Sequence, residues 1–130
     1  MNINRFDNDE YPEIELTRNI IGCAFEVYKA LGYGLSEKTY QNALSESLAK
    51  KQLEFQREKY GFVTFNGKKV GKYYLDFLVA GKIAVELKVR NEIYETDVRQ
   101  LLSYLSSEKI QVGLLIVFTK NGAKVKRLIK

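Results

Sequence analysis

The stretch from Val112 to Thr119 is almost unbroken apolar sequence, and it restricts the fold more than any other part of the chain. It is far too short to cross a bilayer, and a run of this kind reads as a strand buried on both faces. Upstream, the apolar residues Ile14, Ile21, Phe25, Tyr28 and Leu31 recur at helical spacing until Gly32 stops them. Gly32-Tyr33-Gly34 predicts a turn. Ser36 is a good N-cap for a second helix to about Lys51, with Tyr40, Ala43, Leu44 and Leu48 facing inward. The period then changes. Phe55 to Phe65 reads as extended, Asn66-Gly67 as a two-residue hairpin turn, and Val70 to Val79 as the returning strand. Ala80 to Lys82 makes a short turn into an alternating strand, Ile83 to Arg90. Glu95 to Leu105 is helical, with Val98, Leu101, Leu102 and Leu105 on one face. After the buried run, Asn121-Gly122 turns the chain into a last basic strand, Ala123 to Ile129. The predicted order is αα-βββ-α-ββ, an α/β chain forming one domain over residues 1–130. No repeat or linker divides it, and residues 1–10 are polar and expected to be frayed.

Residue usage narrows the chemistry. With no histidine there is no Ser-His-Asp or Cys-His triad and no HExxH zinc site. Cys23 is alone, so no internal disulfide can form and a structural zinc site has no ligand set. Catalysis near neutral pH would fall to carboxylates, lysine, tyrosine or a metal-bound water, and carboxylates favour a hard ion such as Mg²⁺ or Mn²⁺. No apolar core follows Arg5, so no signal peptide and no membrane partner is expected, and a reducing cytoplasm is the default. The net charge of +5 suggests a polyanionic partner, nucleic acid first.

One hairpin carries the candidate chemistry. If the turn is the three residues Ala80 to Lys82, Val79 pairs with Ile83, and Asp76 then falls opposite Glu86 with Cβ atoms about 5 Å apart. By parity Asp76 shares its face with Tyr74 and Leu78, and Glu86 shares its face with Ala84, Lys88 and Arg90. Two facing acids on strands otherwise this apolar repel unless a cation joins them. Lys88, two residues beyond Glu86, could orient an attacking water or stabilise developing phosphate charge. A shared metal, a polarised water and a lysine make a phosphodiester hydrolysis site. The other reading is a surface hairpin on which a Glu-Lys pair offsets Asp76. Glu37 opens the second helix on its apolar stripe, where it either faces the acids or simply complements the helix dipole. Gln100 and Tyr104, one turn apart on the third helix, either bond to a site or form the polar edge of a buried helix.

Together these residues resemble a known pattern. Gly34-Leu35-Ser36-Glu37-Lys38-Thr39-Tyr40 is similar to the signature of the GxxExxY family, assigned to the PD-(D/E)xK nuclease superfamily. Asp76 matches the first catalytic acid, Glu86-Leu87-Lys88 the (D/E)xK strand, and Gln100 to Tyr104 the QxxxY element of the RecB-like branch. Leu75 stands where the superfamily's name places proline. The resemblance implies a restriction-endonuclease-like mixed β-sheet flanked by helices. It also implies catalytic Glu37, Asp76, Glu86, Lys88 and Gln100, and a Mg²⁺ held by Asp76, Glu86, the Leu87 carbonyl and Glu37. The expectation is a metal-dependent nuclease acting on DNA ahead of RNA. The alternative is a non-catalytic module on the same fold that binds nucleic acid or a partner. A homodimer would supply the two sites that cutting both strands at once needs.

Overall fold

Among the described residues, 12–130 of a computed structural model, three helices and five strands alternate as expected. They are α1 (Ile14–Leu31), α2 (Glu37–Lys50), β1 (Phe55–Phe65), β2 (Lys68–Val79), β3 (Ile83–Val89), α3 (Glu95–Glu108), β4 (Val112–Thr119) and β5 (Gly122–Ile129). The expectation that residues 1–10 are frayed lies outside the described residues. The strands form one sheet in the order β1-β2-β3-β4-β5. Every neighbouring pair is antiparallel except β3 and β4, which are parallel. A parallel pair cannot be closed by a tight turn, and α3 supplies the crossover.

The apolar run behaves as its composition requires. Every residue of β4 is buried, because α1 and α2 cover one face of the sheet and α3 the other. Asn66 and Gly67 both have positive φ, 51° and 74°, which the two-residue hairpin turn between β1 and β2 demands. Ser36 caps α2 by accepting the Thr39 N–H at 3.2 Å. The α1 stripe agrees only in part with the one expected. Ile21 and Tyr28 pack against the core, but Phe25 and Leu31 are exposed at 47% and 41%, and the fully packed face is Ile20, Cys23, Ala24 and Val27. That set also has helical spacing, and its smaller residues let α1 lie close against α2 and the sheet.

A second correction concerns strand parity. Tyr73 and Leu75 pack into the α3-side core, whereas Phe77 and Val79, two and four residues on from Leu75, pack into the α1/α2-side core. The strand therefore reverses its faces around Asp76. β1 reverses opposite it: Arg57 pairs with Phe77 and Lys59 with Leu75, and between them Glu58 sits in the left-handed region at φ 53°. Tyr74 and Leu78 consequently lie on opposite faces, so Asp76 cannot share a side with both.

Candidate active site

Pairing of β2 with β3 starts at Val79 and Ile83, as the turn length requires, and continues through Leu78–Ala84 to Phe77–Val85. There it ends. The direct Asp76–Glu86 ladder position expected from counting does not form, because β2 reverses its faces and parts from β3 at that point. The two carboxylates occupy the opening. Asp76 N–H donates to Glu86 Oε1 at 3.0 Å, and Leu87 N–H donates to Asp76 Oδ2 at 2.7 Å. Each acid thus satisfies a backbone donor of the other strand that the broken ladder has released. A strand residue's N–H and C=O point to the same edge, so the Leu87 carbonyl faces this opening too. The Leu87 side chain points the other way, into the α1/α2-side core.

Electrostatics follow from burial. Glu86 is only 6% exposed, and its carboxyl is pushed up to about 8, first by burial and then by the charge of Asp76. Asp76 is also raised, again first by burial, against the opposing pull of the Leu87 N–H and Lys88. Lys88 Nζ lies 3.8 Å from Glu86 Oε2. Glu37 is near enough that its charge raises both acids. Arg57 lowers Asp76 from the β1 side, and nothing in the sequence singled it out.

Glu37 reaches this position through the loop before α2. Gly34 has φ 113°, which an L side chain rarely adopts. The fully buried Tyr40 clamps the loop, its hydroxyl donating to the Gly32 carbonyl at 2.5 Å and accepting the Leu35 N–H at 3.2 Å. Spacing alone read Tyr40 as a core residue. It is that and also the strut that sets where α2 begins.

The expected site residues do not all converge. Asp76, Glu86 and Lys88 come together, with the Leu87 backbone beside them. Among the described residues, no group of three or more His, Cys, Asp or Glu side chains could hold a metal, so Glu37 stands close without completing a three-carboxylate cluster. Gln100 is exposed and lines a small cavity with Glu86, Tyr74 and Tyr104. Tyr104 lies in the core, with its hydroxyl unpartnered and raised to about 12 by burial. The wider groove between α1 and α2, lined by Val27, Leu31 and Ala43, holds none of these acids. The acid pair still suits a cation. The donors are oxygens, two are carboxylates, one buried and one half-buried, that disfavour each other's charge, and the hydrogen bonds engage one oxygen of each.

A mixed five-stranded sheet between helices, opened at an acid pair with a lysine two residues on, defines a restriction-endonuclease-like α/β protein. The family model described as the PD-(D/E)XK nuclease superfamily matches residues 14–128, and the chain belongs to that superfamily. A comparison with curated proteins finds no match. Among solved structures the chain is similar to one titled "Crystal structure of SSO0001", with a TM-score of 0.54 and 16% identity. That likeness extends over 97% of this chain, which spans 60% of the other's length, and at this identity it speaks to fold alone.

Proposed function

We propose that the chain is a metal-dependent nuclease that hydrolyses phosphodiester bonds, in DNA ahead of RNA, with Mg²⁺ as its ion and Mn²⁺ able to replace it. The observation that carries this reading is the opening between β2 and β3, where the buried Glu86 and the half-buried Asp76 meet beside a lysine instead of continuing the ladder. Asp76, Glu86 and the Leu87 carbonyl would hold the ion, with Glu37 adding negative charge from α2. When bound, such an ion supplies an activated water and Lewis-acid stabilisation of the phosphate. Lys88 orients the attacking water and offsets charge that develops on the phosphate oxygens. Gln100, at the mouth of the small cavity, hydrogen-bonds the nucleic acid. Asp76 and Glu86 also bridge the opening between β2 and β3 through their bonds to each other's strand, so the two acids are in place before substrate arrives.

The Gly34-to-Tyr40 element supports membership of the GxxExxY branch. A lone, buried Cys23 suits the reducing cytoplasm. Cleavage of both strands would use a homodimer. The test is nicking of supercoiled plasmid in Mg²⁺, with Asp76→Ala as the control. Cleavage by the parent chain and none by the variant is the expected result. The second reading is a module on this fold that binds nucleic acid or a partner without cutting. Plasmid retention without nicking in either Mg²⁺ or Mn²⁺ would select it.

A further inference from the structure

Because β3 pairs with β2 only as far as Phe77, the β1–β2 hairpin continues alone beyond Asp76. One face of this extension is closed: Gly61 and Tyr73 pack there against Tyr104 of α3. The other face is aromatic and basic. Tyr60 pairs across the ladder with Tyr74, and Phe62 with Lys72. The Tyr60 ring centroid lies 5.8 Å from Phe62 and 5.7 Å from Tyr74, edge-on in both cases. Lys72 Nζ sits 4.1 Å from the Tyr60 centroid and 5.4 Å from that of Tyr74, and Lys69 Nζ sits 4.0 Å from that of Phe62. Tyr60 and Tyr74 are 49% and 59% exposed, so these rings serve no core.

A cluster of rings in water, each with an ammonium at its face, fits a ligand that is both flat and anionic. Nucleotides are both: the base covers the ring and the phosphate takes the lysine. Spacing narrows the class. The ring centroids stand 5.7 and 5.8 Å apart, well beyond the roughly 3.4 Å between stacked base pairs of a duplex. Bases can occupy neighbouring rings only if they have left one another's stack, which an unpaired strand permits and a duplex does not. The rings also lead somewhere: Tyr74 is only two residues from Asp76 on β2.

We propose that this face of the β1–β2 hairpin binds an unpaired, single-stranded segment of nucleic acid. Its bases stack on Tyr60, Phe62 and Tyr74, its phosphates contact Lys69 and Lys72, and the strand is led to Asp76 and Glu86. The inference rests on the nuclease reading for its last step and on the hairpin alone for the rest. Fluorescence anisotropy with the full chain in EDTA tests it, using a labelled oligothymidine of about 15 nucleotides and a duplex of the same length. Single-strand affinity should exceed duplex affinity by about tenfold or more. The double variant Tyr60→Ala/Tyr74→Ala should lose about tenfold or more of that affinity while its duplex binding stays unchanged. Tyr60→Phe/Tyr74→Phe should retain it, and thermal melting should show both variants folded. Equal affinity for the two probes, or no loss in the double alanine variant, would overturn the proposal. So would a dimer, seen in sedimentation, that the alanine variant dissolves with oligothymidine affinity unchanged, because the rings would then serve a second copy. The expected binding pattern without hydrolysis in Mn²⁺ would support the hairpin surface and count against the nuclease reading alone.

Discussion

Burial and mutual repulsion act on Asp76 and Glu86 together, so removing one charge relieves the metal-free protein. Asp76→Asn or Glu86→Gln should leave its stability unchanged or raised, read by thermal melting in EDTA. Millimolar Mn²⁺ should raise the melting temperature of the parent chain, since an ion at a hundredfold excess over Kd stabilises by about 2.7 kcal/mol. That is several degrees for a domain of this size, and either substitution should remove most of the rise. Lys88→Ala should keep the rise and lose cleavage, because its ammonium acts on water and phosphate. Carboxylates present only for an ion pair would give the reverse: lower stability on neutralisation and indifference to Mn²⁺. The raised carboxyls also set a pH dependence. Glu86 moves from an ordinary 4.5 in the unfolded chain to about 8 when folded, so the folded state holds its proton more tightly. The associated stability is present in full below about pH 4.5 and is lost as pH rises toward 8, by up to about 1.4 kcal/mol per unit. Asp76 acts with the same sign. Melting in EDTA should therefore fall across this window, and Glu86→Gln should flatten the fall.

Among the elements, α3 is seated closely on β4. A Cβ built on Gly113 would lie 3.1 Å from Leu101 Cδ2 and 3.2 Å from Leu105 Cδ1, on side chains that are themselves fully buried. Gly113→Ala should therefore destabilise by about 1–3 kcal/mol, measured by urea unfolding. The sequence disclosed most elements through local chemistry: the apolar run of β4, the Asn66-Gly67 turn, and the Ser36 cap. It also disclosed that Asp76 and Glu86 meet, because the turn at Ala80 to Lys82 fixes the first ladder pair. Packing decided what it did not disclose. In α1 two neighbouring stripes share the helical period: Ile21 and Tyr28 of the expected one pack, while Phe25 and Leu31 at its edge face water. The face reversal rests on a left-handed Glu58, a residue type that carries no signal for that conformation. Its carboxylate is tied to Lys38 of α2 at 2.5 Å, a contact between residues 20 apart in sequence. Gln100 and Tyr104 were paired by spacing alone, and they do line one small cavity, Gln100 exposed and Tyr104 buried.

Across the whole molecule the charge of +5 carries no base-reading motif, so binding should depend on salt more than on sequence. Oligothymidine affinity should fall about 10- to 100-fold between roughly 50 and 200 mM salt, as expected if about three to four phosphates are neutralised. An affinity that barely moves would count against the basic surface. The sheet's strand order has a different consequence. Every strand lies beside its sequence neighbour, and only the β3–β4 pair needs a helix to close it. Asp76 and Glu86 are ten residues apart on one such hairpin, whereas Glu37 and Gln100 arrive on helices. Hairpins close in about 1–10 μs, well before long-range docking is complete in most domains. The acid pair is thus brought together early in folding. The charge the pair must carry or shed at pH 8 should slow that step, and refolding in Mn²⁺ or at pH 5 should be faster than in EDTA at pH 8.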